Sequence, residues 1–314
     1  MQEFLQAVRG VAVILILLGL GYLLGRTRLI TKEHSEFLTR FVVTVTLPPY
    51  MVVHLTTNFT RETLLDLGRG LPVPIVSMLL AYLFGLGLAH AFRLPQTRRG
   101  IFIVAFSLSN TIFVGLPVCQ ALFGEEATPF VLLYYMVNTT LFWTLGALGI
   151  AFSGDQRGNP SFLRVALQCV LNPPFVAFFV GVILVLLQYS LPGIVFETAK
   201  MVGSLTAPLS LLCVGTTVNT KRIWLGKDLV PILLGRFVIS PLLVLFIVQF
   251  FPLPTLMRNV FLVMSAMPVM MQSSLLARLY RADYEYATSL VAATTALSAL
   301  VIPLLKVWVT RLQP

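Results

Sequence analysis

The stretch that decides the fold is "SLSNTIFVGLPVCQ", residues 107–120, whose two ends are as apolar as a membrane helix. Its middle nevertheless brings together Ser109, Asn110 and Thr111, and Pro117 follows shortly afterwards. An interruption in a spanning helix exposes backbone N–H and C=O groups that lipid cannot satisfy, so it is tolerated only where protein or a water-filled cavity covers it. The stretch therefore predicts a broken membrane helix that borders a polar cavity.

The rest of the chain has the composition of an integral membrane protein. Of its 314 residues, 57% are hydrophobic and 11% are charged, whereas soluble domains carry about 25% charged residues. Runs of about 20 apolar residues predict an all-α polytopic membrane protein with ten transmembrane helices. These predicted spans, numbered 1 to 10, cover residues 5–25, 36–56, 71–92, 99–122, 128–152, 169–190, 199–219, 229–250, 258–279 and 285–310.

The distribution of Lys and Arg predicts how the spans are oriented. The loops after odd-numbered spans carry roughly twice as many basic residues as the other loops and the termini together. Because basic loops stay in the cytoplasm, we predict that the odd-numbered loops are cytoplasmic and that both termini lie outside. The scatter of basic residues over many short loops also argues against nucleic acid as a partner.

Three motifs recur in the same order in the two halves of the chain. "VTLPPY" (45–50) matches "LTAPLS" (205–210), the opening stretch matches "MSAMPVMMQSS" (264–274), and "VNTTL" (137–141) matches "AATTA" (292–296). The matched positions lie about 155–160 residues apart, and an odd number of spans per repeat turns the second copy upside down. The pattern therefore predicts the inverted-repeat plan of secondary transporters.

The repeats define the predicted domain organisation. The first five-span repeat covers residues 1–152, a cytoplasmic connector covers 153–168, and the second repeat covers 169–314. Spans 4 and 9 are the predicted broken helices, because Gly115 and the proline after it in span 4 are matched by Pro268 in span 9. Paired interrupted spans are the best sequence indication of a binding site near the membrane midplane.

These breaks predict an anion-binding site. A half-helix N-terminus carries roughly half a positive charge and free N–H groups, so two of them that meet in the membrane can hold an anion. Side-chain donors beside the breaks are Asn110, Thr111, Gln272, Ser273 and Ser274.

Two further polar residues are candidates for the same site. Asn138 in span 5 would line it, or it would bond a neighbouring helix, as small polar residues in membranes often do. Tyr50 in span 2 could face the cavity. The nearby Pro48 and its counterpart Pro208 in span 7 are interpreted as structural kinks.

Arg236 in span 8 is the most deeply placed cation, about 12 Å past Asp228 at about 1.5 Å per residue. It would either neutralise an anionic substrate or snorkel back to the cytoplasmic surface. Snorkelling is the favoured interpretation.

The chain lacks motifs for ATP, metal or covalent chemistry. "GxxxxGK[ST]" is absent, and no Cys/His cluster or nucleophile elbow occurs, so we predict no enzyme activity, no cofactor and no metal site. No Asp or Glu lies in the middle of a span to relay a proton. H⁺ and Na⁺ stay open as coupling ions, with Na⁺ held by carbonyls at the breaks together with Asn110 and Gln272, and transport driven by the membrane potential is equally open.

The sequence resembles the auxin efflux carrier family, which includes plant auxin carriers of the PIN type and bacterial malate and malonate permeases. The resemblance covers nearly the whole chain in family order. It is carried by "RFVVTVTLPPYMVVHLTTN" (40–58), "SNTIFVGLPVCQALFGEE" (109–126), "NPPFVAFFVGVIL" (172–184), "APLSLLCVGTTV" (207–218), "SAMPVMMQSSLLARLY" (265–280) and "ATSLVAATTALSALVIPLL" (287–305).

The resemblance implies a scaffold of spans 1, 2, 6 and 7 and a mobile transport domain of spans 3–5 and 8–10, which work by elevator-type alternating access. It places the crossing of the broken helices at residues 109–111 and at Pro268 and Val269, with a substrate carboxylate such as malate, malonate or an auxin-like acid bound there. Plant carriers have proline in place of Ser109, so the first break here would depend more on Gly115 and Pro117. The short loops are typical of a bacterial inner-membrane member.

Two alternatives to a small-anion carrier follow from the same fold. One is a sodium-coupled symporter of a larger amphipathic anion, as in the related bile-acid carriers. The other is a membrane sensor that binds a ligand without moving it. The sequence leaves homodimerisation open, because it contains no specific dimer motif.

Overall fold

The computed structural model is helical throughout nearly all of the chain that it describes, which is residues 13, 16–154, 171, 173–217 and 226–311. The start of predicted span 1, residues 155–168 of the predicted connector and residues 169, 170 and 172 of predicted span 6 lie outside the described residues, as do residues 218–225, which include the end of predicted span 7.

The first half of the chain forms a series of α-helices joined in places by wider π-helical turns. The α-helices are α1 Ile16–Arg26, α2 Lys32–Phe41, α3 Leu47–Asn58, α4 Arg61–Gly68, α5 Pro72–Ala91, α6 Gln96–Ser107, α7 Leu116–Phe123, α8 Thr128–Leu141 and α9 Ala147–Ser153. The π turns are Val42–Thr46 between α2 and α3, Thr111–Gly115 before α7, and Phe142–Gly146 between α8 and α9. A 3-10 turn, Glu125–Ala127, precedes α8.

The second half is built in the same way. Its α-helices are α10 Pro173–Leu186, α11 Gly193–Ser204, α12 Thr206–Thr217, α13 Leu229–Leu234, α14 Ser240–Ile247, α15 Thr255–Ser265, α16 Gln272–Leu279 and α17 Tyr284–Arg311. The π turn Gly235–Ile239 connects α13 to α14, and the 3-10 turn Val248–Phe250 follows α14.

Several of these helices are long and apolar enough to cross a membrane. They are Glu33–Asn58, Pro72–Ala91, Glu125–Ser153, Gly193–Thr216 and Leu229–Phe250. Ile16–Arg26, Thr111–Phe123 and Pro173–Leu186 are shorter apolar helices. The architecture is that of an all-helical polytopic membrane protein, as predicted.

Prolines account for three of the π turns, one of them through Pro117, the second residue of α7. Pro48 and Pro241 each occupy the second position of the α-helix that follows a π turn. Proline has no N–H, so the preceding turn cannot keep its regular hydrogen bonds, and the N–H groups of Leu47 and Ser240 reach carbonyls five residues back instead. Pro208 is the third residue of α12, directly after the turn that separates α11 from α12.

The helices pack in two groups. α3 packs against α10 and α11, whereas α5 packs against α6 and α14, α6 packs against α9, and α8 packs against α15. α12 joins the first group through its Thr206 hydroxyl, which donates to the Thr46 hydroxyl at 3.0 Å. The groups touch where the π turn Thr111–Gly115 packs on α12. Gly100 to Ser107 in α6 are all buried, so protein rather than lipid surrounds the end of this helix.

Candidate functional site

Two interrupted helices cross inside the second group. α6 ends at Ser107 and the next helical turn begins at Thr111, while α15 ends at Ser265 and α16 begins at Gln272. The two extended gaps meet in an antiparallel β-bridge between Ser109 and Val269. The N–H of Asn110 donates to the Pro268 carbonyl at 2.8 Å. The segments that the sequence singles out in spans 4 and 9 are therefore in direct contact.

Side chains from neighbouring helices bind the backbone on both sides of this bridge. The Asn138 amide of α8 accepts from the Ser109 N–H at 3.1 Å and donates to the Ser109 carbonyl at 3.0 Å. The Thr294 hydroxyl of α17 accepts from the Val269 N–H at 3.1 Å. Lipid offers no hydrogen-bonding partners to backbone groups outside a helix. These side chains therefore stabilise the crossing by satisfying its N–H and carbonyl groups. Both ends of the Asn138 amide are committed to the backbone.

Asn110 occupies the start of the second half-helix and has one free donor. Its Oδ1 accepts from the Phe113 N–H at 3.2 Å, and its carbonyl accepts from the Gly115 N–H at 3.0 Å. Its Nδ2 is buried without a hydrogen-bonding partner among the described residues. Asn110 therefore caps the helix with its oxygen and offers an N–H₂ donor to an acceptor from outside the chain.

Further buried polar atoms near the crossing also lack partners within the described chain. They are Thr111 Oγ1, Thr139 Oγ1, Gln272 Oε1 and Thr295 Oγ1. Native proteins leave few buried polar groups unsatisfied, because each costs about 1–3 kcal/mol. A cluster of such groups at one place is typical of a site whose partners come from a ligand or from water.

A cavity of about 1200 Å³ reaches Met270 and Gln272, which neighbour the crossing in the sequence, and Thr139, which follows Asn138. The crossing residues Ser109, Asn110 and Val269 are buried and do not line it. Tyr135, Thr139 and Trp143 form one wall, and Met270, Met271 and Gln272 line the part that reaches the second break. Its mouth includes the basic residues Arg28, Arg40, Arg98 and Arg278 and the acidic residues Glu36, Asp283 and Glu285. These mouth residues flank the loops after predicted spans 1, 3 and 9, so the cavity opens on the side that we predict to be cytoplasmic.

The predicted site residues occupy three different settings. Ser109, Asn110, Thr111, Pro268 and Val269 form the crossing itself. Gln272 lines the cavity. Ser273 is fully buried, and its hydroxyl donates to the Met270 carbonyl at 2.6 Å.

The positions of Gly115 and Pro117 differ from the break expected there. Gly115 closes the π turn and Pro117 is the second residue of α7, so both lie inside helical segments after the gap. The gap comes earlier, at residues 108–110, because Asn110 caps the half-helix that contains them. Gly115 packs closely against Met264, whose side chain would have to shift to admit a Cβ, since that Cβ would lie 2.7 Å from the Met264 sulfur.

Tyr50 lies apart from the cavity-lining residues. Its hydroxyl accepts from Gln120 Nε2 at 2.7 Å, lies 3.4 Å from the Thr128 hydroxyl, and its ring packs on His54 at 4.1 Å between centroids. Its tyrosine hydroxyl is satisfied within the protein. Tyr50 therefore connects α3 to α7 and α8.

Arg236 does not snorkel, and the favoured interpretation of this residue is wrong. Its side chain is 1% exposed and bonds carbonyls of both broken helices. The π turn Gly235–Ile239 directs it inward, and Gly235 lets α6 approach closely, since a Cβ there would overlap the Phe106 ring. The glycine before Arg236 is visible in the sequence, but it indicates a close helix approach and not the direction of the arginine side chain.

We expect Gly235→Ala to lower the stability of the protein by about 1–3 kcal/mol, because overpacking displaces the Phe106 ring. The measurement is the melting temperature of the detergent-purified protein. Gly87→Ala in α5 is the matched control, since a Cβ at Gly87 would meet nothing within 4 Å. Equal melting temperatures for the two variants would contradict the close approach of α6 and the π turn Gly235–Ile239.

Comparison with known proteins decides the family. A family model described as membrane transport protein matches residues 6–306 of the chain. The chain belongs to this family. The predicted membership of the auxin efflux carrier family is thereby confirmed. Membership indicates a membrane transporter rather than an enzyme, and it implies a small-molecule substrate and a lipid environment.

Two relatives match this family member over almost their full length. An uncharacterized transporter of Methanocaldococcus jannaschii is 28% identical over 306 residues, which cover 94% of this chain and 96% of the relative. An uncharacterized transporter of Methanothermobacter thermautotrophicus is 27% identical over 310 residues, which cover 96% and 98%. The similarity therefore includes both interrupted helices.

Sequence reasoning missed two parts of the site. Thr294 belongs to a motif that recurs in the two halves, but its bond to the Val269 N–H depends on how α17 packs. Tyr135 and Trp143 line the cavity from α8 and the π turn after it. Aromatic residues are common in membrane helices, so their number in the sequence gave no signal.

Proposed function

We propose that the protein is a secondary transporter of a small organic anion that carries a carboxylate, and that the anion binds at the crossing of the two broken helices. The observation that carries the proposal is the unpartnered Nδ2 of Asn110, which is buried beside the Ser109–Val269 bridge. A buried N–H₂ donor without an acceptor favours a ligand that accepts hydrogen bonds, as a carboxylate does.

The charges around the crossing favour a negative ligand. The half-helices Thr111–Phe123 and α16 both begin at the crossing, and helix N-termini favour anions. The buried guanidinium of Arg236 adds a positive charge nearby. Among the described residues, the side chains that bond the backbone of the crossing are amides and a hydroxyl rather than carboxylates.

The cavity wall favours an organic rather than an inorganic anion. Tyr135, Trp143, Met270 and Met271 offer an apolar surface next to the polar Thr139 and Gln272. Ligand sites commonly combine such walls with a few polar groups that fix orientation. Malate, malonate and an auxin-like acid share this chemistry, namely a carboxylate on a small carbon frame.

The two packing groups support elevator-type alternating access. We propose that spans 1, 2, 6 and 7 form a scaffold and that spans 3–5 and 8–10 move as a transport domain, within two inverted repeats at 1–152 and 169–314. The contacts between α3, α10 and α11 and those among α5, α6, α9 and α14 fit this division. With both termini outside a bacterial inner membrane, the cavity would correspond to an inward-open state.

The proposal is tested by the melting temperature of the purified protein with malate, malonate, an indole carboxylate and a bile acid. A specific binder stabilises the protein by RT ln(1 + [L]/Kd), about 2.7 kcal/mol at 100 times Kd. We expect a small carboxylate to raise the melting temperature and its neutral amide, such as malonamide for malonate, to have no effect. Equal shifts with acid and amide would contradict an anion site, and a shift with the bile acid alone would favour the larger amphipathic substrate.

A further inference from the structure

Arg236 joins the ends of the two broken helices. Its Nη1 donates to the Phe106 carbonyl at 3.3 Å, at the end of α6. Its Nε donates to the Met267 carbonyl at 3.2 Å, and its Nη2 donates to the Ser265 carbonyl, both at the end of α15. One side chain therefore holds carbonyls from both half-helix C-termini.

These carbonyls need a positively charged partner. The last carbonyls of a helix have no intrahelical donors, and the helix dipole makes this end negative. In transporters with broken helices, carbonyls at half-helix C-termini are the groups that coordinate a dissolved Na⁺. Here the guanidinium of Arg236 already bonds three of them.

The guanidinium is charge-balanced by these dipoles rather than by a carboxylate. Within the described chain, the ion pairs that the structure shows lie at other residues, such as Arg98 with Asp283 and Arg278 with Glu36. Arginine stays protonated at neutral pH, and a buried cation without a partner anion is costly in a membrane. Its position at the crossing therefore has a function beyond filling space.

We infer that Arg236 is a built-in counter-cation of the crossing, which occupies the carbonyls that a coupling Na⁺ would need. The inference rests on the proposed function and deepens it, because it assigns the coupling: anion binding at this site requires no Na⁺. Arg236 is a positioning residue, since it acts on the anion through the two half-helices that it joins. Arg236 also places a fixed positive charge in the proposed transport domain, which binds the anion.

The wild-type protein tests this directly. The melting temperature and the shift induced by malate or malonate are measured in NaCl, KCl and choline chloride at equal ionic strength. We expect the same values in all three salts. A Na⁺-coupled site would bind the anion about 5- to 150-fold more tightly in NaCl, and such a difference would overturn the inference.

Variants test the role of the charge. Arg236→Ala exposes the carbonyls, so we expect a lower melting temperature that millimolar guanidinium chloride raises, while the same salt leaves the wild type unchanged. Arg236→Lys should retain part of the stability and of the anion response. Arg236→Met fills similar space without charge, and wild-type melting and anion response in Arg236→Met would overturn the inference.

The inference and the proposed function fail in different ways. In one outcome, no anion shifts the melting temperature, but guanidinium still raises the melting temperature of Arg236→Ala. The proposed function is then wrong, whereas the inference that Arg236 is the counter-cation is supported. If an anion binds only in NaCl, the proposed function stands and the counter-cation fails. If Arg236→Ala cannot be purified, the comparison of salts on the wild type still decides.

Discussion

Asn110→Ala is expected to abolish transport and to weaken anion binding about 10- to 100-fold, while the protein stays folded. The variant removes the free Nδ2 donor, and a hydrogen bond to a charged group contributes about 1.5–3 kcal/mol. It also removes the cap on the Phe113 N–H, which costs about 1 kcal/mol. Anion-induced thermal shifts measure the first effect, and the melting temperature without anion measures the second.

Asn110→Asp separates the two effects. Aspartate is as good a helix cap as asparagine, but it has no N–H₂ donor and carries a negative charge. We expect this variant to keep its fold and to lose the anion response. Asn259→Ala in α15 is the control for loss of a buried asparagine away from the crossing. A normal anion response in Asn110→Ala would contradict binding of the anion at the crossing.

Asn138→Ala is expected to destabilise the protein by roughly 2–5 kcal/mol, because it leaves the N–H and the carbonyl of Ser109 buried without partners. The melting temperature should fall by several degrees with or without an anion. Reduced transport would follow from the disturbed crossing rather than from a lost ligand contact. This pattern is the reverse of that expected for Asn110→Ala.

Thr140→Val is the matched control for Asn138→Ala, since it lies in the same helix and its hydroxyl bonds only the Met136 carbonyl one turn earlier. We expect Thr140→Val to melt close to the wild type. If Asn138→Ala also melts close to the wild type, the two hydrogen bonds to Ser109 do not stabilise the break.

The existence of the two breaks could be predicted from the sequence, but their exact positions and the hydrogen bonds that stabilise them could not. Asn110 and Pro268 stand out because an amide and a proline are unusual in an apolar span. The gap falls before Asn110 rather than at Gly115 or Pro117, because its Oδ1 starts the next half-helix at the Phe113 N–H. A capping bond depends on backbone direction, which composition does not reveal.

Arg236 and Tyr50 show a different limit. The partners of Arg236 are backbone carbonyls, which leave no trace in residue identities, so its inward direction is visible only once α6 and α15 are packed. Tyr50 is polar and lies in a kinked span, but its partners are Gln120 of α7 and Thr128 of α8, which are distant in the sequence. Long-range contacts decided the role of both residues.

The most direct test of the central claim is flux in proteoliposomes. The anion with the largest thermal shift is supplied as a labelled compound, and uptake is compared between wild type, Asn110→Asp and Asn259→Ala. We expect time-dependent uptake by wild type and Asn259→Ala and background uptake by Asn110→Asp. Binding of the anion without uptake by the wild type would contradict a transporter and indicate a membrane sensor.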